Sequence, residues 1–197
     1  MVRRSRPRSR LSTETHHLIA IATPLDTPRL QLRTLELRDD RFILQLLNQA
    51  SWLRFIGDRK VHSLTDAQRY IETGPQASYR QHGHGLLLVQ QRDGTPIGLC
   101  GLLRREGLDD PDLGFALLDA YNGQGYAHEA AAAVLADGRS RLALTRVLAI
   151  TAPDNLLSIR LLLKLGFAFE RQLQVTPAAP LSNLYATILA DDAPRNG

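Results

Sequence analysis

Residues 121–127, Tyr-Asn-Gly-Gln-Gly-Tyr-Ala, stand between an apolar run at 113–118 and an alanine-rich stretch at 127–136. Read as strand, glycine turn and helix, they constrain the fold more than any other part of the chain. The first turn of a helix leaves its backbone N–H groups without intrahelical partners, and the helix dipole adds partial positive charge there. Glycines in the turn let an anion approach those groups closely. The arrangement therefore predicts a site for a phosphorylated ligand.

Two common phosphate motifs do not fit. A P-loop ends in Gly-Lys followed by Ser or Thr, and the lysines of this chain, Lys60 and Lys164, are far from the loop. A dinucleotide fingerprint needs a third small residue where His128 stands. What is left is a gapped pattern: Asn122, two residues, Gly125, one residue, Ala127. A plain packing turn with two glycines would read the same way, so the rest of the chain has to decide.

At 197 residues one domain is expected, large enough for a substantial core. No apolar run approaches the ~20 residues of a membrane span. Arginines at 3, 4, 6, 8 and 10 resemble the start of a leader, but the apolar residues at 18–22 fall short of a signal core and run into Pro24. Cys100 is the single cysteine, so no intrachain disulfide forms, and a cytoplasmic protein is expected. Those five arginines exceed the net charge of +4, so the rest of the chain is slightly acidic. The basicity belongs to a tail, expected as a flexible segment at 1–26, whose chemistry also suits RNA, a ribosomal surface or anionic lipid. A near-neutral body argues against nucleic acid as the main partner of the fold.

Residues 29–35 alternate polar and apolar, the period of a half-buried strand. Asp39 or Asp40 suits the start of a helix reaching about residue 50. The spacing of Thr65 and Gln68 predicts a second helix ending at Thr73, before Gly74-Pro75. Strands at 86–91 and 96–103 flank Asp93-Gly94, a hairpin signal. Beyond the glycine loop, Ala127, Ala130, Ala131, Val134 and Leu135 recur on one helical face. A strand at 146–151 and a helix opening at Asp154 or Asn155 and closing at Gly166 follow. Strands at 167–175 and 183–189 complete an α/β or α+β sheet with helices on its faces.

A second signature lies at 154–167, Asp-Asn-Leu-Leu-Ser-Ile-Arg-Leu-Leu-Leu-Lys-Leu-Gly-Phe. Together with the Asn122–Gly125–Ala127 pattern, Pro96-Ile-Gly-Leu-Cys-Gly-Leu102 and Asp112-Leu-Gly-Phe-Ala116, it resembles the GNAT acetyltransferase superfamily over about residues 27–190. Residues 52–61, with Phe55-Ile-Gly-Asp-Arg59, resemble the branch grouped with ribosomal-protein N-terminal alanine acetyltransferases. Asn122 departs from the Gln or Arg usual at the first loop position. The resemblance implies one GNAT-like domain at 27–190, followed by a short C-terminal tail at 191–197. Its sheet would be mixed, mostly antiparallel and of about seven strands, its fourth and fifth strands splayed to admit acetyl-CoA. The open edge at Leu117 and Leu118 would pair with the pantetheine arm. The backbone of Asn122, Gly123, Gln124, Gly125, Tyr126 and Ala127 would take the pyrophosphate, and Asn155 would contact pantetheine.

The chemistry so implied is attack of a neutral amine on the thioester carbonyl in a ternary complex, with CoA thiolate leaving. No metal is needed. His82-Gly-His84 has no accompanying carboxylate or cysteine cluster and reads as a turn. Asp112, at the start of the fourth strand, is the candidate base, with a strand-end turn as the alternative. Ser158 is the candidate proton donor to the thiolate, no tyrosine standing between Thr151 and Gly166. Glu106, Asp109 and Asp110 read as a solvated loop or as attractors of a cationic substrate. Cys100 reads as a small buried hydrophobe. The acceptor is expected to be a protein or peptide N-terminus, with a small amine or a non-catalytic CoA sensor as alternatives. A monomer or a homodimer is compatible with the sequence.

Overall fold

The run Leu-Leu-Leu-Val at 86–89 does not alternate because both faces of its strand are buried. Leu87 and Val89 join a core under one helical layer, and Leu88 joins a second core on the opposite face. This computed structural model describes residues 24–175 and 179–189, and the arginine tail lies outside them. The strands are β1 (Leu25–Asp26), β2 (Leu30–Arg33), β3 (Leu86–Gln91), β4 (Pro96–Leu103), β5 (Asp112–Leu117), β6 (Arg146–Thr151), β7 (Ala168–Leu173) and β8 (Ser182–Ile188). They form one sheet in the order β1-β2-β3-β4-β5-β6-β8-β7. All neighbours are antiparallel except β5 and β6. The mixed, mostly antiparallel sheet expected from the sequence is therefore present, with the short β1 added at its edge through Leu25 opposite Leu32.

One face carries α1 (Asp40–Leu47), α2 (Ala50–Phe55) and α3 (Leu64–Ile71). Phe42, Ile43, Leu46, Leu47, Trp52, Ala67 and Ile71 close over Leu88 and Leu99 there. The polypeptide continues through α4 (Ala77–His82) into β3. The other face carries α5 (Tyr126–Ser140), whose Ala130, Ala131, Val134 and Leu135 pack on Leu87, Val89, Ile97 and Leu102. α6 (Leu156–Lys164) follows β6 and buries Leu162 in the same core. Cys100 is fully buried in this core and burial pushes its thiol up to about 12, so it acts as a small hydrophobe.

Two helical expectations change. Ser63, not Thr65, caps α3, its side chain accepting from the Asp66 N–H. Gly74-Pro75 does not stop the helix: a widened π turn over Glu72–Gln76 absorbs the proline and leads into α4. A proline lacks the N–H that an α-helical turn needs, and the wider turn removes that demand. α2 lies within a stretch that has no periodicity in the sequence.

Asp39 precedes α1 without capping it. Its carboxylate accepts from the Glu36 N–H at 2.8 Å and from both Nη atoms of Arg33, each at 2.8 Å. Burial disfavours the charge, but these donors outweigh it and hold the carboxyl below its usual range. We expect Asp39→Asn to destabilise the protein by about 2–3 kcal/mol in urea denaturation at pH 7, since it leaves Arg33 half-buried and unpaired. A depressed folded pKa contributes stability that is complete above the unfolded value of about 3.9. That contribution is lost as pH falls through the folded value, so the gap between wild type and variant should close in acid.

Candidate active site

β5 and β6 pair at one place, Asp112 opposite Leu148, with the Leu148 N–H donating to the Pro111 carbonyl at 2.9 Å. Beyond it the strands part. Leu118 donates to the Ile97 carbonyl at 2.8 Å, which fixes the alternation along β5. The peptide groups of residues 112, 114, 116 and 118 turn toward β4, and those of Phe115 and Leu117 turn into the gap. A cleft of about 550 Å³ occupies the gap, walled by β5, the glycine loop, β6 and α6, and closed from the other face by α2 and Tyr70.

At the end of β5 the chain makes a short 3-10 turn at Asp119–Tyr121 and then the loop. Gly123 and Gly125 have φ of +75° and +81°, a left-handed backbone that residues with a Cβ resist. Gly125 is the N-cap of α5, and the first intrahelical bond runs from Glu129 N–H to the Gly125 carbonyl. The amides of residues 123–128 have no hydrogen-bond partner among the described residues. A row of free donors on a helix start, next to a cleft, fits a diphosphate. Asn122, Gly123, Gly125, Tyr126 and Ala127 all line the cleft, as does Leu117.

Two expected residues do not. Leu118 spends its amide on β4, because a strand can turn only alternate residues to one side. Gln124 faces away, its Nε2 donating to the Ala120 carbonyl at 2.9 Å and its own carbonyl accepting from Arg29 Nη1 at 3.0 Å. On the opposite wall Asn155 and Ser158 stand in the cleft. Asn155 Oδ1 caps α6 by accepting from the Ser158 N–H at 3.2 Å, leaving its amide nitrogen for the cleft.

Asp112 is not brought to the cleft. It is 1% exposed, and its Oδ2 accepts from Arg105 Nε at 2.8 Å while Oδ1 has no partner. Burial raises its carboxyl pKa and Arg105 opposes the rise. A base must reach the proton it takes, and this carboxyl is sealed from the cleft wall. The geometry corrects the sequence expectation: Asp112 braces Arg105, which does line the cleft. No aspartate or glutamate lines the cleft among the described residues. Of the loop acids, Asp110 pairs with Arg146 at 2.6 Å. His84 Nδ1 lies 3.1 Å from the Leu102 carbonyl, and the described residues contain no cluster suited to a metal.

A clamp beneath the loop carries no signature in the sequence. Glu129, in the first turn of α5, accepts from Thr27 Oγ1 at 2.6 Å, from the Arg29 N–H at 2.8 Å and from Arg29 Nε at 2.6 Å. Arg29 also lies over the Tyr126 ring, 4.5 Å from its centroid. These partners are about 100 residues apart in the chain, so only the fold reveals them.

An acetyltransferase (GNAT) domain model matches residues 29–168. An uncharacterised N-acetyltransferase of Bacillus subtilis, YoaA, is 29% identical over 174 residues, covering 83% of this chain and 96% of its own. Among solved structures, the RimL ribosomal L7/L12 alpha-N-protein acetyltransferase in complex with coenzyme A superposes with a TM-score of 0.73 at 19% identity, over 84% of this chain and 98% of that one. The ribosomal-protein-S5-alanine acetyltransferase of Vibrio fischeri gives 0.70 at 17% identity, over 84% and 96%. At such identities the two structures speak for the fold alone. Among the described residues no helix is long and apolar enough to cross a membrane.

Proposed function

The chain belongs to the GNAT acetyltransferase family, whose members move an acetyl group from acetyl-CoA to an amine, and from that premise we propose that its acceptor is the α-amine of a protein or peptide. One observation carries this reading: the cleft wall has no carboxylate among the described residues, which favours an amine that is already partly neutral at pH 7. An α-amine of pKa ~7.8 is about one-tenth or more neutral at pH 7, whereas a lysine of pKa ~10.4 is roughly one part in 2,500. The α-amine needs little help, and the lysine would need a strong base, whereas the wall's one imidazole, His128, stands in the first turn of α5 beside the loop assigned to the pyrophosphate. The two solved structures compared above are both named for protein acceptors, one of them for alpha-N transfer.

In this reading the amides of Gly123, Gly125, Tyr126 and Ala127 hold the pyrophosphate. The peptide edge of Phe115, the Leu117 N–H and the Asn155 amide nitrogen hold the pantetheine arm. The amine nitrogen attacks the thioester carbonyl, the C–N bond forms and the C–S bond breaks. The departing sulfur takes a proton from Ser158, directly or through water, and the proton that the nitrogen sheds passes through water to restore Ser158. Ser158 is on the wall and its hydroxyl has no partner among the described residues. Transfer is direct, since Cys100 is buried away from the cleft.

The test is thiol release from acetyl-CoA with peptides bearing either a free N-terminus or a blocked N-terminus and one lysine. At pH 7 the free α-amine should give at least 100-fold higher kcat/KM, in line with the ratio of neutral fractions. Its kcat/KM should climb about tenfold per pH unit below pH 7 and level off near pH 8. Equal rates for the two amines would refute the assignment.

A further inference from the structure

The cleft is also lined by Arg59, Arg105, Tyr70 and Trp52, and Arg105 is held at the start of β5 by its bond to Asp112. Every polar group they present is a hydrogen-bond donor or a cation, apart from the phenol, which can also accept. Arg59 has neither an ion pair nor a hydrogen bond among the described residues. Arg105 gives Nε to Asp112 and keeps both Nη atoms free. The Tyr70 hydroxyl has no hydrogen-bond partner among the described residues, and Trp52 Nε1 is buried without one. Burial raises the Tyr70 phenol's pKa, and the charges of Arg59 and Arg105 both oppose that rise, so each guanidinium lies within reach of the phenol. Other polar side chains near the cleft are committed elsewhere. Gln49 spans the Leu117 carbonyl and the Asp119 N–H at 2.7 and 3.1 Å, and Ser51 donates to Asp119 at 2.6 Å. Asp58 is taken by Lys60 at 2.8 Å.

We propose that these residues recognise an oxyanion carried by the acceptor, so that the substrate is an amine with a carboxylate close to its amino group. The donors of Trp52, Tyr70 and Arg105 are buried or half-buried, and such donors left without acceptors are costly unless a ligand satisfies them. Arg59 is exposed and contributes charge, and a guanidinium fork matches a carboxylate in both shape and charge. Asp112 makes the fork usable. Sealed beneath the wall, it binds Nε and so aims the two Nη atoms outward, which makes it a positioning residue for Arg105. Arg59 supplies the charge that Asp112 neutralises on Arg105. The same wall disfavours polyamines and aminoglycosides, since Arg59, Arg105 and Lys164 are its charged residues and all are cationic. The carboxylate has two sources, the acidic side chain of a peptide's second residue or the α-carboxylate of a free amino acid.

This inference rests on the α-amine reading above, and the experiment separates the two. Thiol release, expressed per neutral amine because a neighbouring carboxylate also makes the amine more basic, is measured for matched acceptors: Ala-Asp-Gly amide against Ala-Asn-Gly amide, free alanine against alaninamide, and Nα-acetyl-lysine against its amide. The anionic member should be preferred at least tenfold in kcat/KM in the first or second pair, and which pair shows it names the source. Arg59→Gln should bring that ratio to within twofold, mainly through the acceptor KM, and raising salt from 50 to 500 mM should shrink the wild-type ratio. Arg105→Lys keeps the charge and the Asp112 partner but loses the fork, and should lower the ratio by about threefold or more. Neutral members equal to or better than anionic ones in all three pairs overturn the proposal while leaving the α-amine reading intact. A charge preference confined to the lysine pair would place the carboxylate far from the reacting amine and so overturn both the α-amine reading and the close spacing proposed here.

Discussion

Gly125→Glu is expected to remove acetyl-CoA binding, raising the Kd at least 100-fold and abolishing the thermal shift that acetyl-CoA gives the wild-type protein. Three effects act in the same direction. At φ +81° a side chain costs about 1 kcal/mol in backbone strain, and a Cβ would stand 3.3 Å from Arg29 Nη2. A carboxylate placed at the N-cap of α5 would also accept from the free amides of the first turn, which are the groups assigned to the diphosphate. Its charge would then repel any phosphate that remained. Loss of two charge-assisted hydrogen bonds at about 1.5–3 kcal/mol each already exceeds the ~2.7 kcal/mol that a hundredfold requires. Gly94→Glu is the control. Gly94 has φ +88°, a Cβ added there would meet nothing within 4 Å, and the residue lies in the β3–β4 hairpin turn. It should carry similar strain and leave the Kd unchanged. An unaltered Kd for Gly125→Glu would show that the loop does not hold the donor.

What is legible in the chain and what is not divides along a physical line. The loop, the strands on either side of the gap and the Asn155 cap depend on local rules: glycine where φ is positive, apolar runs in strands, a short polar side chain at a helix start. These rules act within a few residues, so sequence exposes them. Asp112 shows where that ends. Its position at a strand end can be read, but whether its carboxyl faces the cleft or the core depends on Arg105, seven residues away, and on the layer packed over it. Leu118 escapes sequence reasoning for a similar cause. A one-residue phase along β5 decides which amides face the gap, and that phase is set by register with β4. The proposed acceptor wall is the least legible. Trp52, Arg59, Tyr70 and Arg105 come from separate elements, and no short-range pattern links them.

The second large effect is expected from Glu129→Ala, which touches no ligand in the reading above. It should raise the KM for acetyl-CoA about tenfold, leave kcat within about threefold, and lower stability by about 1–2 kcal/mol. The cause is orientation. A trans peptide sets a carbonyl and the following N–H in opposite directions. Arg29, fixed by Glu129, holds the Gln124 carbonyl on the outer side of the loop and so turns the Gly125 N–H inward. Without Glu129 the guanidinium is released, and two glycines with little steric restraint regain their freedom, at about 1–2 kcal/mol per residue ordered again on binding. An opposing effect also exists, because removing Glu129 leaves a cation near the diphosphate site. Arg29 is 47% exposed, so that attraction is screened and worth roughly 0.5 kcal/mol, less than the ~1.4 kcal/mol behind a tenfold change. Salt separates the two: the orientational loss persists at about 0.5 M, whereas a charge effect vanishes within a Debye length of a few ångströms. A KM that falls in Glu129→Ala, and recovers in high salt, would mean that charge near the loop matters more than the direction in which its amides point.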